Sequence, residues 1–136
     1  MREIKFRGRS CDKWLYGSLH VNESGQPAIS TPAHFVFRCV APETLGQYTG
    51  LKDSEGREIY EGDVIEIEKS VARAFELKTP AVVEYSNGAF IATRDNSYSS
   101  LKLLYVLTYA DDITRIRANV IGNIHDNPEL LMEAPK

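Results

Sequence analysis

The chain has 136 residues, 43% apolar and 26% charged, with a net charge of −3. This length and balance fit a single domain over residues 1–136, or two small β lobes sharing a core, able to fold without a disulfide or metal. The mild acidity speaks against a general electrostatic grip on nucleic acid, although Lys5, Arg7 and Arg9 could form a local patch.

The first residues alternate charged with apolar side chains and lack the continuous apolar run of a signal peptide. Ile4 and Phe6 read as a short strand with one buried face, broken by Arg7-Gly8-Arg9-Ser10. Lys13 to Val21 is a second strand, with Leu15, Leu19 and Val21 on one face and Trp14, Tyr16 and His20 on the other. Asn22 to Pro27 is rich in turn formers, and His34 to Val40 alternates Phe35, Phe37 and Cys39 as a further strand.

The stretch from Gln47 to Ile65 is the densest in turn signals. Asp53 is placed to begin an Asx-type loop that Gly56 closes in the left-handed region. Arg57 to Tyr60 then returns as a strand, and Gly62-Asp63 turns the chain into Val64 to Glu68, with Ile65 and Ile67 buried. Lys69 to Pro80 reads as a helical turn or two, or an insertion. A hairpin follows, Ala81 to Tyr85 and Ala89 to Thr93 about Ser86-Asn87-Gly88. Arg94 to Ser100 reads as polar loop. Leu101 to Tyr109 reads as a short helix, with a buried strand as the alternative. Ile116 to Ile124 has the longest period-2 alternation and is read as a strand. Asn127 and Pro128 suit the cap and first position of a closing helical turn. The fold expected is mainly β, α+β at most: small antiparallel sheets or a partly open SH3-like barrel with one or two short helices.

The residue types that carry chemistry are present but scattered. Asp53, Glu55, Glu58, Glu61 and Asp63 fall close together but do not match a calcium loop, and they read as solvated turn acids. His20, His34 and His125 lack the close-set pairing of metal ligands, and Cys11 and Cys39 form no disulfide or metal pattern. No nucleophile elbow, phosphate loop or dinucleotide fingerprint occurs. These readings imply no catalytic residues, no cofactor and no metal. The longest strictly apolar run, Leu103 to Leu107, is too short to cross a bilayer, so no membrane association is expected, and a reduced cytoplasmic setting follows from the cysteine usage.

Four blocks in order, Arg2 to Gly8, Trp14 to Leu19, Gln47 to Asp63 and Val120 to Leu131, resemble the YopX family of small phage and prophage proteins. The resemblance implies a mainly β fold and a phage or prophage origin, and it supplies no catalytic residues to carry over. Ser10-Cys11 departs from the plainly polar turn expected there, so the resemblance assigns no role to Cys11. The function expected is that of a non-enzymatic accessory protein, a homo-oligomer in the cytoplasm of a bacterial host. It would bind a host or phage protein through Trp14, Tyr16, Tyr48, Lys52 and Tyr60, the tyrosines of the central block being taken as exposed. The alternatives are a nucleic-acid-binding small β-barrel module, resting on Lys5, Arg7, Arg9 and Trp14, and a small hydrolase using the acidic turns.

Overall fold

Cys11 and Asp12 form a two-residue turn joining β1 (Phe6–Ser10) to β2 (Lys13–Val21), with Cys11 at φ 55°. The computed structural model describes residues 3–33, 36–67, 80–95, 102–106 and 118–131, and divides into two compact units, Met1–Gly50 and Leu51–Lys136.

The first unit continues with β3 (Pro27–Ser30), β4 (Phe37–Cys39) and β5 (Gly46–Lys52), which runs across the division at its last two residues. The strand order is β4-β3-β2-β1-β5, with each neighbouring pair antiparallel. Arg7 to Ser10 therefore extend the first strand instead of breaking it. Gly8 is there for space: a Cβ on it would lie 2.6 Å from Cγ2 of the buried Val40. Beyond Arg7, the outer edge of β1 is covered by the Pro42–Thr44 3-10 turn. Arg9 N–H donates to Thr44 Oγ1 at 2.8 Å, and Ala41 N–H donates to the Arg9 carbonyl at 2.9 Å. Ile4 lies outside the strand and is 62% exposed, so the buried face expected of it is absent. Val21 is likewise exposed, and β4 is exposed along its whole length. His34 and Phe35 lie outside the described residues.

The second unit contains β6 (Glu58–Tyr60), β7 (Asp63–Ile67), β8 (Pro80–Ser86), β9 (Ala89–Asp95), β10 (Lys102–Val106) and β11 (Ala118–Asn123). Its antiparallel sheet has the order β10-β9-β8-β7-β11. Ile59, Ile65, Ala81, Val83, Phe90, Ala92 and Ala118 form its apolar core, with Leu51 and Val120 packed against it. The β8–β9 hairpin turns on Asn87 (φ 50°) and Gly88 (φ 85°), the left-handed pair that matches strand twist.

Three expectations change here. Arg94 and Asp95 belong to β9, not to a loop, and Lys102–Val106 is a strand, not a helix. Both follow from the same ladder, in which Lys102 lies opposite Asp95 and Val106 opposite Ile91. β11 is irregular: its register against β7 shifts between Val120 and Gly122, leaving Ile121 38% exposed. Asn127 does precede a 3-10 turn, Pro128–Leu131, and its carbonyl accepts from Leu130 N–H. Its side chain turns back instead, accepting from Asn123 N–H at 3.3 Å. Residues 69–79 and 96–100 lie outside the described residues. Antiparallel sheets, the first of the two expected forms, describe the fold. Both sheets are open, and helical structure among the described residues is limited to the two 3-10 turns.

Candidate functional site

Directly opposed residues of an antiparallel pair project from the same face. Arg7 opposes Tyr16 and Arg9 opposes Trp14, so the four side chains share one face of the first unit's sheet. The face continues along β2 through Ser18 and His20, and across to β4, because Ser18 opposes Ser30 and Ser30 opposes Phe37. The register thus assembles aromatic and cationic groups from three strands.

This face has two zones. In the first, Trp14 receives Arg7 and Arg9, whose guanidinium carbons lie 4.9 and 5.5 Å from its ring centroid. Such contacts strengthen as they lose water, and Arg7 is buried. In the second zone the side chains reach solvent. Tyr16 is 43% and Phe37 47% exposed, and His20 packs on Phe37 with ring centroids 5.3 Å apart. Between Tyr16 and the His20–Phe37 pair the register places the short side chains of Ser18 and Ser30 on the same face.

The residues named from sequence separate accordingly. Trp14 and Tyr16 come together on β2, and Lys52 is exposed at the end of β5. Tyr48 and Tyr60 do not join them: they are 5% and 2% exposed and cannot anchor a partner at the surface. The Tyr48 ring carries the Lys5 ammonium 5.1 Å from its centroid. Tyr60 donates its hydroxyl to Glu58 Oε1 at 3.1 Å, and its backbone N–H to Asp63 Oδ2 at 2.8 Å. Alternation places a side chain on one face of a strand, but which face is covered depends on distant chain. The packing of Phe37 beside His20 is not legible in sequence, since it needs the β2–β3–β4 register.

The acidic turns also differ from expectation. Asp53 and Asp63 are buried, not solvated. Asp53 Oδ1 accepts from the Glu55 and Arg57 backbone N–H groups at 2.9 and 2.8 Å. Its Oδ2 accepts from Arg57 Nε at 2.8 Å and from Val120 N–H on β11 at 3.0 Å. Gly56 at φ 85° completes the loop, and Ser54 N–H donates to the Ala118 carbonyl at 3.1 Å. Burial acts to raise the Asp53 carboxyl. The hydrogen bonds from Val120, Arg57 and Glu55 outweigh it and hold the group below its ordinary value. One carboxylate therefore closes its own loop and pins that loop to β11. Among the described residues no three His, Cys, Asp or Glu side chains gather as metal ligands would, and no helix is long and apolar enough to cross a membrane.

A sequence profile described as YopX protein matches residues 5–132, and no curated protein matches the chain. The crystal structure of protein EF1440 from Enterococcus faecalis is similar at a TM-score of 0.59 and 23% identity, covering 97% of this chain and 100% of that one; at that identity the likeness speaks to fold alone. With nearly its whole length matched, the chain belongs to the YopX family.

Proposed function

We propose that this YopX-family chain is a non-catalytic binding protein of a phage or prophage, acting as a homo-oligomer in the cytoplasm of a bacterial host. It grips a host or phage protein through the exposed zone of Tyr16, Ser18, His20 and Phe37. The observation that carries the reading is the pair of half-exposed aromatic rings, Tyr16 and Phe37, flanking two serines on one sheet face. Rigid aromatic side chains with few rotatable bonds are the usual anchors of protein interfaces. Trp14, stacked with Arg7 and Arg9, stiffens the base of this zone.

Two observations weigh against the other readings. Arg7 is buried and both nearby guanidinium groups lie against Trp14, so the cation and ring that nucleic acid would need are already engaged with each other. Asp53 and Asp63 accept backbone N–H groups, which suits loop construction better than acid–base chemistry.

The test is an affinity capture from host lysate, with and without nuclease, comparing the wild type with Tyr16→Ala/Phe37→Ala. A stoichiometric protein retained after nuclease and lost with the double variant is the expected result. Partners that vanish with nuclease would transfer the reading to nucleic acid, and equal retention by the double variant would move the interface elsewhere. Light scattering addresses the oligomer separately: a strict monomer removes that part.

A further inference from the structure

The opposite face of the same sheet carries a different feature. Ser10 opposes Lys13, and Ile29 opposes Arg38, so these residues project away from the Trp14–Tyr16 face. There they line an open cavity of about 350 Å³ together with the apolar side chains of Leu15, Ala33 and Val36. Ile29 is fully buried beneath it, while Lys13 and Arg38 are exposed. Neither cation has a hydrogen bond or ion pair among the described residues.

We infer that this cavity binds a small organic carboxylate with a short apolar body. The apolar surface of Leu15, Ala33 and Val36 favours displacement of water by hydrocarbon, and the volume is in the range of small-ligand sites. Two cations drawn from different strands, β2 and β4, offer charge-assisted hydrogen bonds to a carboxylate. The fixed fork of Arg38 orients a planar carboxylate, and Lys13 adds a mobile second donor. A neutral apolar molecule would leave both cations without an anion, and a bare inorganic anion would not use Leu15, Ala33 or Val36.

The probe is octanoate, with octanamide as its uncharged counterpart, titrated into isotope-labelled full-length protein and followed by backbone amide NMR. Octanoate is expected to shift the amides of Leu15, Ile29 and Val36 in the millimolar range. Octanamide should bind about tenfold more weakly. Lys13→Ala and Arg38→Ala should each weaken octanoate about threefold to tenfold, the lower end reflecting the exposure of both side chains. Because both are exposed, amide positions elsewhere report that the variants remain folded. Tyr16→Ala/Phe37→Ala, on the other face, should leave octanoate binding unchanged, which separates this proposal from the interface above. The inference is overturned if octanamide binds as well as octanoate, if the cation variants bind like the wild type, or if Leu15, Ile29 and Val36 do not respond.

Discussion

The two units hold themselves together in different ways. The second encloses a continuous apolar cluster from Ile59 to Ala118 and uses the carboxylate of Asp53 to fasten a loop to β11. The first devotes one sheet face to aromatic and cationic side chains, with Trp14 between two guanidinium groups and Tyr16 and Phe37 open to water. Apolar clusters stabilise through area removed from water and leave little for a partner to read. A face built from cross-strand rings and cations gains less per residue and keeps accessible groups. Substitutions in the second unit should therefore be read in stability, and those on the exposed zone of the first in binding.

The sharpest break of that contrast is between two tyrosines that look alike in sequence. Tyr60→Ala removes a ring that is 2% exposed and should cost about 3–5 kcal/mol in urea unfolding. Asp53→Ala should rank next, at about 2–4 kcal/mol. It leaves the part-buried N–H groups of Arg57 and Val120 without their acceptor and frees the loop from β11. A loss below about 0.5 kcal/mol, the scale of a neutral surface change, would show that the Asp53 loop is not a fastening point.

The same carboxylate gives a pH test. Its folded pKa lies below its unfolded one, so its contribution is complete above the ordinary aspartate range near about pH 4 and is lost as pH falls through the folded value. Unfolding midpoints of the wild type and Asp53→Asn should differ at about pH 6 and converge toward about pH 2. A constant gap over that span would remove Asp53 as the titrating group. The smallest stability effect belongs to Tyr16→Ala, about 0.5 kcal/mol, because the ring is half exposed. A large loss of stability there would mean that Tyr16 is structural, and would erase the contrast between the units.

What could be read from residues alone was whatever a few neighbouring residues decide. Asp53 and Gly56 specify their loop because an Asx acceptor and a left-handed glycine act within four residues. Asn87-Gly88 specifies its hairpin for the same reason, and the alternation in Lys13–Val21 marks a strand without reference to its partners. The tertiary structure decided the rest. Lys102–Val106 is a strand because β9 offers it a hydrogen-bonding edge, which an apolar run equally suited to a helix could not reveal. Arg7-Gly8-Arg9 stays in β1 because it pairs along β2, and the absent Cβ of Gly8 leaves room for Val40. Tyr48 and Tyr60 lie inside while Tyr16 lies outside, and Asp53 and Asp63 are buried acceptors instead of solvated acids. Burial is a property of what distant chain covers, and a carboxylate's role follows from which N–H groups the fold brings to it.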